Sequence, residues 1–204
     1  MPLPQILFLV GPTAVGKSEI ACHLAKTYNG EIISCDAAQV YQEIRIASNK
    51  PPQDVLDQVP HHLIDAVSIR EEFNVSRFNQ LAAEALKKIL DKNKRPIVAG
   101  GSGLYMQVLL DGIFEEGPKD QRLRQKLQQE AQENGNQFLH EKLKKIDPQA
   151  AARIHVNDQR RLIRALEVYS LESKPISQKH RERQGWWGKY DIKIIALTRG
   201  RADL

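Results

Sequence analysis

Gly11-Pro12-Thr13-Ala14-Val15-Gly16-Lys17-Ser18 constrains this chain more than any other stretch, because it fills the pattern G-x-x-x-x-G-K-[ST] completely. It follows the apolar run Gln5–Val10, which reads as a buried parallel strand. Directly after it, Lys17–Tyr28 places Ile20, Leu24 and Ala25 at helical spacing. In such a strand–loop–helix unit the glycines let backbone N–H groups wrap phosphate oxygens, and the helix N-terminus adds a positive field. Lys17 contributes a point charge, and the Ser18 hydroxyl is a candidate ligand for Mg²⁺. The strand before and the helix after favour phosphate binding over an ordinary glycine-rich turn.

The first half of the chain repeats this grammar. Glu31–Ser34 reads as a second strand ending at Cys35-Asp36, and Pro96–Ala99 as a third strand running into glycines. Between them, the three prolines of residues 49–60 predict a loop. Val75–Asp91 predicts a helix with Phe78, Leu81, Ala82, Ala85, Leu86 and Ile89 on one face. The expected fold class is therefore α/β, a P-loop-type parallel sheet with helices on both faces. From Pro118 to Glu172 no strand-like run occurs, and the polar sequence predicts three or four amphipathic helices, with Asn157 as the N-cap of the longest. Ile192–Leu197 returns as a strand. The expected organisation is a core of residues 1–115, a helical insertion over 116–189, and a returning core strand in 190–204. A helix would ordinarily cover that strand, so the remainder of the core is expected to be missing from this sequence.

Composition narrows the setting. Hydrophobic residues make up 41% and charged residues 27%, as in an ordinary globular protein. No apolar run is long enough to span a bilayer, and the first residues lack the basic and apolar regions of a signal peptide. Two cysteines, Cys22 and Cys35, make no disulfide framework, so a cytoplasmic protein without a membrane partner is expected, working as a monomer. The net charge of +5 is uneven: residues 1–115 carry 11 Lys and Arg against 13 Asp and Glu, and residues 116–204 carry 19 against 12. A basic second half fits a polyanionic partner as well as it fits a solvated surface.

The phosphate loop alone leaves kinase, hydrolase and transferase chemistry open. Asp36, just beyond the second strand, stands at the sheet edge where α/β proteins build their sites. It could act as a general base, support a magnesium ion, or simply cap a turn. At the third strand end, Gly100-Gly101-Ser102-Gly103 permits close backbone approach, and the Ser102 hydroxyl can donate to an oxyanion. Three polar strand ends in one sheet point to one shared site.

The phosphate loop, Asp36-x-x-Gln39-Val40-Tyr41, Pro60-His61-His62-Leu63-Ile64-Asp65, Phe73-x-Val75-x-x-Phe78, Gly100-Gly101-Ser102-Gly103-Leu104-Tyr105 and Asn157-Asp158-x-Arg160-Arg161-x-Ile163-Arg164-Ala165-Leu166-Glu167 occur here in one order. In that order they resemble the tRNA dimethylallyltransferase family, with matches from Gly11 to about Arg201. The resemblance implies transfer of a dimethylallyl group from dimethylallyl diphosphate to N6 of the adenine 3′ of the tRNA anticodon, with release of pyrophosphate. Gly11–Ser18 would hold the diphosphate, with Lys17 and a Ser18-bound Mg²⁺ stabilising the departing charge. Asp36 would take the proton of the exocyclic amine, and Ser102 would assist at the pyrophosphate oxygen. The tRNA would be met by Asp36, Ala37, Ala38, Gln39, Ser102, Arg124, Gln159, Arg160, Arg161, Leu162 and Ile163. The family usually has Ser-Met at Ala37-Ala38 and Thr at Ser102, and it continues beyond this point with further helices that grip tRNA.

One segment can be read without the resemblance. At 100° per residue, Leu162, Ile163, Ala165, Leu166 and Tyr169 share an arc, and Arg160, Arg161 and Arg164 fall on the complementary one. An exposed arginine stripe suits phosphate and base contacts. His61-His62 lacks a third ligand at zinc spacing and reads as structural. Trp186 packs or offers a stacking platform with Trp187, and Cys35 is structural. The rival readings are a small-molecule P-loop kinase, which leaves the basic helices unexplained, and an adenylate isopentenyltransferase, which needs no tRNA grip.

Overall fold

The computed structural model describes residues 2–114 and 120–200; the boundary expected at 115/116 and the end of the resemblance at Arg201 lie outside them. Five strands, β1 (Gln5–Val10), β2 (Gly30–Ser34), β3 (His61–His62), β4 (Arg95–Ala99) and β5 (Asp191–Ala196), form one sheet in the order β3-β2-β4-β1-β5. All pairings are parallel, and the registers Leu9↔Ala99 and Ser34↔Ala99 bring the C-terminal ends of β1, β4 and β2 level. The helices of the first half are α1 (Lys17–Thr27), α2 (Gln53–Gln58), α3 (Val75–Asp91) and α4 (Gly103–Asp111).

Alternation along the strands builds two apolar layers. Ile6, Phe8, Ile33, Cys35 and Val98 face α3, α4 and Trp186. Leu9, Ile32, Ile97 and Ala99 face α1. The α1 face differs from the one expected: Ala21, Cys22 and Ala25 are buried, whereas Ile20 is exposed. Small residues bring this helix close, since a Cβ on Gly30 of β2 would lie 3.5 Å from the Ala25 Cα. Helix α3 spans the expected residues, with the Asn74 side chain accepting from Arg77 N–H as its cap. Burying Phe78, Leu86 and Ile89 there contributes roughly 1.5–3 kcal/mol each. Residues 49–60 carry α2 within the expected loop.

Two compact units are present, Met1–Ile113 with Gln184–Leu204, and Phe114–Arg183. The chain rejoins the sheet unit at Gln184, earlier than the expected residue 190, because Trp186 is buried in the sheet core, edge-on to Phe8 at 5.9 Å. The second unit is helical: α5 (Gln121–Asn134), α6 (Asn136–Ile146), α7 (Pro148–Ala151), α8 (Gln159–Glu172) and α9 (Ile176–Glu182) surround a core of Leu127, Leu139, Leu143, Leu162 and Leu166. Helix α8 is capped by Asp158, whose side chain accepts from Arg161 N–H, and not by the expected Asn157. Among the described residues no helix is long and apolar enough to cross a membrane.

Candidate active site

The loop between β1 and α1 is set by backbone conformation. Gly11 and Gly16 have φ of 151° and 92°, and Ala14 has φ 67°. At Gly11 a Cβ would lie 2.5 Å from the Leu197 carbonyl oxygen, so this position admits no side chain. Lys17 Nζ donates to the Gly11 and Pro12 carbonyls at 2.9 and 2.6 Å, folding its charge over the loop. Burial lowers the Lys17 pKa, and the charge of Asp36 opposes that.

A cavity of about 310 Å³ opens above the ends of β1, β2 and β4, a volume suited to a small organic ligand. Thr13, Ala14, Gly16, Lys17 and Ser18 line it from the loop, and Asp36, Gln39, Gly100 and Gly101 from the neighbouring strand ends. Val15 is buried beneath the loop. The three strand ends therefore border one cavity, with Asp36 and Lys17 both on its wall. Gly100 sits against the end of β2, where a Cβ would lie 2.1 Å from the Cys35 carbonyl oxygen.

Asp36 both caps a turn and faces the cavity. Its Oδ1 accepts from Ala38 N–H at 2.8 Å and Gln39 N–H at 3.3 Å. Among the described residues Oδ2 carries no hydrogen bond, so one oxygen is anchored and the other is available to accept a proton. Gln39 is held at both ends of its amide: Ser34 Oγ donates to Oε1 at 2.9 Å, and Nε2 donates to the Ser48 and Asn49 carbonyls at 3.4 and 3.3 Å. Ser102 is placed otherwise than expected. Its Oγ accepts from Ala37 N–H at 2.9 Å, tying the two strand-end loops together, and neither Ser102 nor Ala37 and Ala38 lines the cavity.

Sequence reasoning missed part of the wall. Ser48, Asn49, Pro51 and His61 line the cavity; the prolines signal only a loop, and His61, within a family motif, reads as structural. His61 Nδ1–H donates to the Val59 carbonyl at 2.7 Å, which in the neutral ring leaves Nε2 an acceptor. Burial lowers the His61 pKa against the opposing Val59 bond, and His62 adds to the lowering. His62 instead donates through Nε2 to buried Glu31 at 2.7 Å, which fits the structural reading of the pair. Burial, then the nearby Asp36 charge, pushes the Cys35 thiol well above its ordinary range. This thiol is structural. Among the described residues no cluster of three or more His, Cys, Asp or Glu could hold a metal ion.

In the helical unit the expected arginine stripe is corrected. Arg160 and Arg161 are exposed, but Arg164 turns to Glu167, Nη1 to Oε2 at 2.7 Å. Arg124 grips the same carboxylate at 2.7 and 2.9 Å, and Asp120 N–H donates to it at 3.0 Å. The Glu167 side chain is fully buried, so these charges are bound into the unit's own structure. Leu162 and Ile163, expected among the tRNA contacts, have their side chains buried in the core of the unit. Gln159, Arg160 and Arg161 remain accessible at the start of α8.

A parallel sheet with a glycine-rich loop after its first strand, a lysine folded over that loop and a carboxylate across the cavity defines a P-loop α/β protein. Residues 39–204 match the family model described as IPP transferase, and the chain belongs to that family. Over 203 residues it is 44% identical to the tRNA dimethylallyltransferase of Acetivibrio thermocellus, covering 99% of this chain and 65% of the relative. With the tRNA dimethylallyltransferase of Aquifex aeolicus it shares 48% identity over 193 residues, 95% of this chain and 61% of the relative. The chain thus spans less than two thirds of the curated relatives it matches. Among solved structures, a eukaryotic dimethylallyltransferase acting on tRNA superposes with a TM-score of 0.81 at 31% identity, covering 95% of this chain and 48% of that one. The tRNA isopentenylpyrophosphate transferase of Bacillus halodurans gives 0.58 at 38% identity, covering 94% and 59%.

Proposed function

We propose that this chain carries the prenyl-transfer site of a cytoplasmic tRNA dimethylallyltransferase. The observation that carries the reading is the placement of Asp36 and the Lys17 loop on one cavity, an acceptor for a proton facing a cradle for a diphosphate. The backbone N–H groups of residues 13–18, at the start of α1, bind the diphosphate of dimethylallyl diphosphate. The adenine amine at N6 attacks the allylic C1, the C1–O bond breaks, and pyrophosphate leaves with the bonding electron pair. Asp36 receives the proton that the amine loses, and the anchored Oδ1 keeps the carboxylate in place. Lys17, released from the Gly11 and Pro12 carbonyls, offsets the charge that develops on the leaving group.

The hydroxyl of Ser18 on the cavity wall fits a Mg²⁺ that keeps most of its ligands as water and phosphate, as this ion does. Such an ion would supply further neutralisation of the diphosphate. A base that reaches Asp36 must leave its stack, and Gln39, its amide tied to Ser34, Ser48 and Asn49, forms a fixed part of the same wall. Arg160 and Arg161 present positive charge to the tRNA backbone.

Asp36→Asn separates chemistry from binding. Turnover should fall by about 10²–10⁴ while tRNA affinity holds, and Lys17→Ala should lose about 10² or more. Near-normal transfer by either variant in a single-turnover assay with labelled dimethylallyl diphosphate would remove that residue from the mechanism.

A further inference from the structure

Lys50 is a buried cation that the reaction above does not use. Its side chain is 3% exposed, although Asn49 and Pro51 on either side of it line the cavity. Burying an ammonium group is unfavourable unless its three N–H donors are met. Here Nζ donates to the Tyr41 carbonyl, to Asp65 Oδ1 at 2.5 Å and, more weakly, to the Gln42 carbonyl at 3.5 Å.

Those acceptors belong to two different segments. Tyr41 and Gln42 close the loop that starts at Asp36, and Asp65 lies in the turn after β3. The same segments are stitched elsewhere: Asp65 N–H donates to the Gln39 carbonyl at 3.1 Å, and Val67 N–H to the Val40 carbonyl at 3.1 Å. On the other side, Gln39 reaches the Ser48 and Asn49 carbonyls. Residues 36–42 are therefore clamped between 48–50 and 65–67, and Lys50 bridges all three segments. Lys17 and the diphosphate loop are anchored separately, through Gly11 and Pro12.

We propose that Lys50 is a positioning residue for the acceptor side of the site. Its ammonium fixes the loop of Asp36 and Gln39 at the distance from the diphosphate cradle that the attacking amine requires. This rests on the transfer reading above and deepens it, because it assigns acceptor placement to a side chain that touches neither substrate. A misplacement near 1 Å costs about 10² in rate, so Lys50→Met should lower kcat with tRNA by about 10²-fold. The dissociation constant for dimethylallyl diphosphate should stay within about two-fold, since ground-state binding at the cradle is not touched.

Four measurements test it: single-turnover transfer to tRNA, calorimetric binding of dimethylallyl diphosphate, thermal unfolding, and hydrogen exchange at the Gln42, Asp65 and Val67 amides. Lys50→Met should exchange at these amides by about ten-fold or more faster than the parent. Asp65→Asn, which keeps the ties to Tyr41 and Gln42, should lose less than about ten-fold in kcat. Lys50→Met/Asp65→Asn removes both charges and should regain thermal stability without regaining turnover. Recovery of turnover together with stability in that double variant would make Lys50 a stabilising residue and overturn the proposal. So would unchanged amide exchange in Lys50→Met. That outcome counts even if the parent transfers no prenyl group, a result that would sink the transfer reading by itself.

Discussion

Gly100→Ala probes how tightly the ends of β2 and β4 close around the site. The new Cβ would lie 2.1 Å from the Cys35 carbonyl oxygen, 2.4 Å from its carbon and 2.9 Å from its Cα. These are backbone atoms, so no side chain can rotate away. Relief to ordinary contact requires the two strand ends to part by roughly 1 Å. That movement strains the bond from Cys35 N–H to the Ala99 carbonyl, 2.8 Å, and the bond from Ser102 N–H to the Cys35 carbonyl, 3.2 Å. Overpacking costs about 1–3 kcal/mol, and weakening one of these bonds adds about 1 kcal/mol. At about 2–4 °C per kcal/mol for a chain of this size, the variant should melt about 5–15 °C below its parent in scanning calorimetry. Gly103→Ala is the control, because its Cβ meets nothing within 4 Å at the first residue of α4. There alanine should be neutral or stabilise by up to about 1 kcal/mol. A Gly100→Ala protein melting within about 1 °C of the parent would refute the close approach of the two loops.

Glu167→Ala should destabilise by about 3 kcal/mol, the lower end for a broken buried pair because Arg124 and Arg164 keep some solvent, and denaturant titration would show it. Glu31 gives a pH dependence. Burial alone would raise its pKa, but hydrogen bonds from Lys94, His62 and Lys92 outweigh that and hold it at about 2, below the ordinary 4.5. A depressed carboxylate contributes stability that is present above the unfolded value and lost as pH falls from about 4.5 toward about 2. Glu31→Gln should therefore be less stable than the parent at neutral pH, with the difference shrinking through that window. A difference that stays constant down to about pH 2 would contradict the assignment.

The parallel sheet was legible because each long strand is a short apolar run ending in glycine or a polar residue, and α3 because its apolar positions recur at helical spacing. Strand β3 was not, since two histidines carry no periodicity and pair with β2 only through its register at Ile32 and Ile33. The glycine-rich loop and the place of Asp36 at a strand end were readable from local pattern. The wall at Ser48, Asn49 and His61 was not, because it is assembled by long-range bonds such as Gln39 to Asn49 and Lys50 to Asp65. On α8, geometry placed the arginines on one arc, but spacing alone could not show that Glu167 is buried and draws Arg164 and Arg124 inward. A buried carboxylate outcompetes solvent for a nearby guanidinium, and hydrophobic patterning does not register it.

Transfer of labelled dimethylallyl diphosphate to bulk tRNA, run beside adenosine monophosphate and beside ATP with small hydroxylic acceptors, tests the central claim most directly. The geometry of Asp36 across from the Lys17 loop predicts label on N6 of adenine in tRNA, with one pyrophosphate released per transfer, and transfer slowed about 10²–10⁴-fold in the Asp36→Asn protein. Label on free adenosine monophosphate and none on tRNA would contradict the acceptor assigned here, and phosphate moved from ATP without prenyl transfer would contradict the reaction itself.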